Sequence, residues 1–158
     1  MQLVIFIGLQ ASGKSTFFRT HLAATHDYVS KDLLRNNKKP SRRQAQLIEA
    51  ALQAGHSVVI DNTNPTVEDR ASLIQLGSLY HAEIVGFYFE SEVSSCLERN
   101  RQRFGKERVP DVAIYATIKK LTRPSYIEGF DRLFSVRIAS NCNFEVCAWV
   151  EDEDANGR

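Results

Sequence analysis

The sequence has no apolar run long enough to cross a bilayer. The longest near its start, Leu3-Val-Ile-Phe-Ile7, is far shorter than the roughly 20 residues a spanning helix needs. No positively charged stretch precedes it, so it does not read as an export signal, and the expected location is the cytoplasm. Cysteine is scarce: Cys96, Cys142 and Cys147 form no C-x-x-C pair, and neither Cys142 nor Cys147 has a nearby histidine. That argues against a zinc site and predicts reduced, largely buried thiols. The four histidines, His21, His26, His56 and His81, are scattered with no H-x-x-x-H pair and read as structural or surface residues. There is no N-K-x-D segment, which a GTPase would need to read its base, and no internal repeat, low-complexity tract or long linker. A motor ATPase would usually be longer than 158 residues and carry a coupling element.

What is present has the size and composition of one globular domain: 158 residues, 43% hydrophobic and 25% charged. Strand-like and helical segments alternate. Leu3–Ile7 is a continuous apolar run, as in a central parallel strand buried on both faces. Helix is predicted over residues 14–24, strand over Asp27–Ser30, and helix over Ser41–Ala54 with Ser41 as N-cap and Gly55 closing it. A strand over Ser57–Asp61 precedes a helix from Pro65 to Leu79 with proline at its first position. Ala82–Phe89 reads as strand, Glu92–Arg103 and Pro110–Leu121 as helices, and Phe134–Ile138 and Phe144–Val150 as closing strands. The stretch Phe104–Pro110 is a surface loop within a single domain. Such alternation predicts an α/β fold, a mostly parallel sheet covered by helices on both faces.

Net charge is only +1, yet the bases are concentrated. Lys31, Arg35, Lys38, Lys39, Arg42 and Arg43 face the single acid Asp32; Arg99, Arg101, Arg103, Lys106 and Arg108 face Glu107. Acids gather far away in Glu151-Asp-Glu-Asp154. Two basic segments in a near-neutral chain point to an anionic ligand.

Residues 8–15 read Gly8-Leu-Gln-Ala-Ser-Gly13-Lys14-Ser15, a full match to G-x-x-x-x-G-K-S/T between an apolar strand and a helical segment. Glycines permit a backbone path that aims successive N–H groups at a phosphate chain, and the helix that follows presents its positive end to the same anion. The candidate nucleotide-binding residues are Gly8, Ala11, Ser12, Gly13, Lys14, Ser15 and Thr16. Lys14 is placed for the β- and γ-phosphates, and the Ser15 hydroxyl for Mg²⁺. The ligand expected there is ATP with Mg²⁺.

Asp32 lies just past the second predicted strand, at the sheet edge where doubly wound folds bind ligands. A carboxylate there can take a proton from an attacking hydroxyl, or merely cap a short helix. Arg35 lies about one turn on and can meet a phosphate on the acceptor. Asp61 ends Val58-Val-Ile-Asp61 and opens Asp61-Asn-Thr-Asn-Pro65: it can orient a Mg²⁺ water, pair with an arginine of the acceptor site, or form a plain turn. Arg99, Arg101 and Arg103 come at the end of a predicted helix, where Arg99 and Arg103, four apart, share a face. Such arginines can close over a transferring phosphoryl group as a lid, or be favoured there by the helix dipole alone.

On Gly8–Phe17, Val29–Asp32, Val58–Pro65, the arginine segment before Val109-Pro110 and Glu128-Gly-Phe130, the chain resembles the kinase domain of polynucleotide 5′-kinase/3′-phosphatases from about Leu3 to Phe134. The resemblance implies an adenylate-kinase-like P-loop sheet with an arginine-bearing lid, and ATP-dependent phosphorylation of the 5′-hydroxyl of DNA or RNA. It implies Asp32 as general base, Arg35 at the phosphate 3′ to the acceptor nucleoside, Asp61 as an acceptor-site aspartate, and Arg103, with Arg99 next, as the lid arginine. The candidate acceptor-binding set is Arg35, Asp61, Asn64 and Arg70, and the catalytic set Asp32, Lys14, Arg103 and Arg99. The sequence lacks the D-x-D-x-T/V phosphatase signature and a forkhead-associated module, so a stand-alone kinase that leaves 3′-phosphates in place is expected. Lys38, Lys39, Arg42 and Arg43 are candidates for following a nucleic-acid backbone; Tyr28 and Phe104 stack on a base or pack in the core. Two alternatives use the same parts: a kinase of a small hydroxyl compound (a nucleoside, sugar acid or antibiotic), and an ATP-binding module without turnover.

Overall fold

The computed structural model describes residues 1–151, so Asp152, Glu153 and Asp154 of the acidic stretch lie outside the described residues. Strand β1 (Gln2–Ile7) is buried from Leu3 onward, because it runs through the middle of a sheet with parallel neighbours on both sides. These are β3 (Val58–Ile60) and β4 (Glu83–Phe89). With β2 (Asp27–Val29), β5 (Arg132–Ile138) and β6 (Phe144–Ala148), the order is β2-β3-β1-β4-β5-β6. Every pairing is parallel except β5 with β6, which is antiparallel.

The period-two alternation of β1 assigns its side chains to two cores. Leu3, Ile5 and Ile7 join Ile48, Ala51 and Leu52 of helix α2 (Pro40–Gln53) and Leu73 and Ile74 of α3 (Val67–Leu79). Val4 and Phe6 face the other way, against Phe17 and Phe18. Those phenylalanines lie where α1 (Lys14–Phe17) passes into a π-helical turn, Phe18–Leu22. A third cluster of Leu9, Cys96, Leu97 and Ile114 seats α4 (Val93–Arg101) and α5 (Asp111–Lys120) on the loop that follows β1. Because β2, β3 and β1 are adjacent and parallel, the three segments that leave their C-terminal ends converge at one edge of the sheet.

Several local expectations are corrected. Helix α2 begins at Pro40, so the N-cap position is Lys39 and not Ser41; proline fits N1 because it lacks the N–H that would go unbonded there. The cap of α3 is Thr66, whose hydroxyl accepts from the Asp69 N–H at 3.1 Å, and Pro65 precedes it. Helix α4 stops at Arg101, so Arg103 lies in the following loop and does not share a helical face with Arg99. Of the cysteines only Cys96 is buried; Cys142 and Cys147 are exposed near and on the outer strand β6. Phe104 is 88% exposed, which excludes a place in the core. Among the described residues no helix is long and apolar enough to cross a membrane.

Candidate active site

The loop after β1 demands glycine for two different reasons. A Cβ on Gly8 would stand 2.9 Å from the Phe89 Cβ, so the backbone passes too close to β4 for any side chain. Gly13 has φ 97°, in the left-handed region, at the N-cap of α1. Ala11 also adopts a left-handed φ of 62°, which a residue with a Cβ rarely does. Its carbonyl is held by the Arg99 Nε–H at 2.6 Å, a charge-assisted bond from α4. One residue earlier, the Gln10 amide donates to the Thr117 hydroxyl of α5 at 3.0 Å. Consecutive loop residues are thus tied to the two helices that flank the arginine-rich loop. The base of that loop is closed by buried Asn100, which donates to the Val109 carbonyl at 2.7 Å and accepts from its N–H at 3.1 Å.

Lys14 is buried. Its ammonium donates to the carbonyls of Gly8 at 3.1 Å and Leu9 at 2.5 Å and lies 3.4 Å from the Ser12 hydroxyl. Loss of solvent pulls its pKa down to about 8, while the carboxylates of Asp61 and Asp32 act to raise it and Arg103 to lower it. Candidate site residues on three separate segments, Asp32, Asp61 and Arg103, therefore act electrostatically on one ammonium.

Asp61, at the end of β3, is 5% exposed and accepts two hydrogen bonds: from Ser15 Oγ at 2.8 Å and from the Tyr28 hydroxyl at 2.5 Å, both on Oδ2. Burial and that bond push the Tyr28 phenol up to about 12, so it remains a donor at neutral pH. Tyr28 is half-buried; its ring packs on Phe18 and its hydroxyl braces Asp61. Among the described residues no group of three His, Cys, Asp or Glu side chains could hold a metal alone. A hydroxyl and a carboxylate oxygen at 2.8 Å nevertheless suit Mg²⁺, which takes few protein ligands and completes its shell with water and substrate phosphates.

The rest of the turn after β3 braces both neighbours. The Thr63 carbonyl accepts from the Gly8 N–H at 3.0 Å, and the Asn64 amide, on a buried residue with φ 42°, donates to the Phe6 carbonyl at 2.8 Å. Asn62 accepts from the Lys31 N–H at 2.9 Å and donates to buried Gln44 of α2 at 2.7 Å. Lys31 opens a 3₁₀ turn, Lys31–Leu34, capped by Ser30, whose hydroxyl accepts from the Asp32 N–H at 3.3 Å. Asp32 faces solvent with its side chain 81% exposed, 3.6 Å from the guanidinium of exposed Arg35.

Arg70 stands apart from the acceptor edge. It is fully buried, and each guanidinium nitrogen has a protein partner: Nε and Nη2 donate to the two Glu128 oxygens at 2.8 and 3.2 Å, and Nη1 to the carbonyls of Asn64 and Thr122. Glu128 also accepts from the Ser125 N–H in a capping box. These positions give Arg70 and Asn64 internal partners where direct acceptor contacts were expected. Arg99 likewise holds the loop, while Arg103 has only a long 3.4 Å bond to the Glu107 carbonyl. Sequence reasoning missed the bracing roles of Tyr28, Asn62 and Gln44.

A model of the AAA domain family matches residues 3–124, well over half the chain. Over 139 residues the chain is 27% identical to the bifunctional polynucleotide phosphatase/kinase of Schizosaccharomyces pombe, covering 85% of this chain and 33% of that one. It spans a third or less of the length of the curated relatives it matches. Among solved structures, a fungal RNA kinase superposes with a TM-score of 0.68 at 15% identity, over 86% of this chain and 38% of that one. A gluconokinase from Sinorhizobium meliloti does so with 0.61 at 20% identity, over 88% and 83%. At such identities these likenesses speak for the fold alone. The chain belongs to the AAA domain family and has the fold of the P-loop kinases.

Proposed function

We propose that this chain is an ATP- and Mg²⁺-dependent kinase that phosphorylates the 5′-hydroxyl end of DNA or RNA. The observation that carries this reading is the solvent-facing Asp32–Arg35 pair, on a turn whose first residue, Lys31, donates its N–H to Asn62 of the turn that also fixes the phosphate loop. A carboxylate beside a cation at an open edge suits an acceptor hydroxyl flanked by a phosphate. The name of the fission-yeast relative supplies the same acceptor class.

In this reading, Asp32 takes the proton of the 5′-hydroxyl as its oxygen bonds to the γ-phosphorus, and the bond from that phosphorus to the β–γ bridging oxygen breaks to release ADP. Lys14 exchanges the Gly8 and Leu9 carbonyls for phosphate oxygens. Ser15 and Asp61 are the residues to hold Mg²⁺, which when bound offsets the phosphate charge. Arg35 meets the phosphate 3′ to the acceptor. Arg103, with few partners of its own, approaches the transferring group from the loop. Asn64, Arg70 and Arg99 act by holding the site's shape.

The test is label transfer from γ-labelled ATP to 5′-hydroxyl oligonucleotides by the wild type and by Asp32→Asn. Label on the 5′ end with wild type, severe loss in the variant and no release of 3′-phosphate by this chain are expected. ATP binding without transfer to any DNA or RNA end would remove the polynucleotide acceptor and turn attention to small hydroxyl compounds.

A further inference from the structure

Between the 3₁₀ turn that bears Asp32 and the body of α2, the surface forms an open depression of about 340 Å³ lined by Asn37, Lys38, Lys39, Arg42, Arg43 and Gln46. Its four cations are all exposed, and among the described residues none lies within ion-pairing distance of a carboxylate. Exposed Arg101, Arg123, Arg132 and Arg137 are each paired, whereas Lys38, Lys39, Arg42 and Arg43 share one depression with no acid in its lining. Like charges this close repel one another, and a ligand carrying several negative charges relieves that repulsion.

Chain geometry ties the depression to the acceptor edge. Lys38 follows Arg35 by three residues, so their Cα atoms are at most about 11 Å apart. Arg42 and Arg43 then sit on the first turn of α2, within about 6 Å of its start along the axis. Asp32, Arg35, Lys38–Lys39 and Arg42–Arg43 therefore form a continuous path that begins at an exposed carboxylate and continues in cations.

We propose that this depression is a phosphate track that binds the acceptor strand on the 3′ side of the nucleotide being phosphorylated. The proposal rests on the 5′-hydroxyl reading and adds two properties to it. The strand runs 5′ to 3′ from Asp32 past Arg35 onto α2, and several consecutive phosphates contribute to affinity, so acceptor binding improves with strand length whatever the base sequence. A small acceptor with one phosphate reaches Arg35 and gains nothing from the track.

The test replaces all four cations with glutamine (Lys38→Gln, Lys39→Gln, Arg42→Gln, Arg43→Gln), with Arg42→Gln/Arg43→Gln as a milder companion. All are solvent-exposed, and a thermal melt checks the fold. Binding of a 3′-fluorescent oligothymidylate with a 5′-hydroxyl is followed by anisotropy across a salt series. Transfer is compared between that strand and thymidine 3′-monophosphate. Four phosphate contacts on a single strand imply that the fourfold variant loses roughly 3 from the slope of log K against log salt, and the double variant about half that. The wild-type KM should be at least about tenfold lower for the oligonucleotide than for the mononucleotide, and the fourfold variant should close most of that gap. Equal KM values in the wild type, or an unchanged salt slope in the fourfold variant, would overturn the track and leave the 5′-kinase reading standing. Steep salt-dependent binding that the fourfold variant loses, with no label transferred, would uphold the track and overturn the kinase reading.

Discussion

The phosphate loop and the acceptor segment leave the sheet on either side of β3, yet they are built in opposite ways. Lys14, Ser12, Asp61 and Asn64 are buried, and each is hydrogen-bonded within the protein. Asp32, Lys38, Lys39, Arg42 and Arg43 are solvated, and Asp32 has only one loose ion pair. A triphosphate is the same in every turnover, so donors fixed in advance lower the cost of binding it. An acceptor end brings varied neighbours, and solvated groups can adjust to them. The turn Asp61-Asn-Thr-Asn64 joins the two halves, each of its residues bonding a different segment.

The contrast predicts that chemistry and stability separate cleanly between the halves. Asp32→Asn should lower kcat by about 10²–10⁴, the usual contribution of a general base, and leave the melting temperature unchanged, because the carboxylate is 81% exposed. Arg70→Ala should do the reverse. It strands Glu128 in the interior and should cost about 3–5 kcal/mol of stability, read by denaturant unfolding. An Arg70→Ala protein that melts normally but no longer binds an acceptor would restore its expected role as a substrate contact.

The roles of the two arginines Arg99 and Arg103 can be split next. Arg99→Ala frees the Ala11 carbonyl and removes a charge-assisted bond worth about 1.5–3 kcal/mol, so KM for ATP should rise roughly tenfold or more. Arg103→Ala breaks only a 3.4 Å bond and should leave stability and ATP affinity intact while lowering kcat. Equal effects of both on kcat alone would mean that Arg99, too, reaches the transferring group.

How much of this was legible in the sequence follows the same divide. The phosphate loop and the strand-helix alternation are local patterns, and both appear where expected. The arginine pair did not share a helix, because α4 ends at Arg101 and the chain then enters a loop with Gly105 at φ 59°. The Arg70–Glu128 pair spans 58 residues, and no motif links its members. A signal was nonetheless available: Arg70, Leu73, Ile74 and Gly77 have the spacing of one helical face, and all are buried. An arginine on an apolar stripe requires an internal carboxylate, and Ser125-x-x-Glu128 has the pattern of a capping box that fixes one in place. The braces from Tyr28, Asn62 and Gln44 depend on strand order, which spacing alone does not encode.

The buried half should also respond to pH through Lys14. In the free protein its pKa is pulled down to about 8, so it is charged below that pH and neutral above it. Bound phosphates favour the charged form and raise the pKa. ATP binding above pH 8 must therefore take up a proton, and affinity should be flat below about 8 and fall by up to about tenfold per unit above it. Titration calorimetry in buffers of different ionisation heat reads that proton directly. Affinity that stays flat through pH 9 would show that burial does not hold the ammonium near its titration point.

The smallest expected effect tests whether the buried half is fixed in advance as closely as its bonds imply. Tyr28→Phe keeps the ring contact with Phe18 and removes only the hydroxyl that donates to Asp61. Asp61 retains its bond from Ser15 at 2.8 Å, so the carboxylate stays in place but turns more freely. A hydrogen bond to a charged group is worth about 1.5–3 kcal/mol, and only part of that is felt at the metal because Asp61 keeps its Ser15 bond. The Mg²⁺ concentration for half-maximal activity should therefore rise about two- to tenfold, with kcat at saturating Mg²⁺ nearly unchanged. A fall in kcat that added Mg²⁺ does not reverse would place Tyr28 nearer the reacting atoms than a brace can be. No change in either would mean that Ser15 alone orients Asp61, and that the phosphate side tolerates loose support as readily as the acceptor side does.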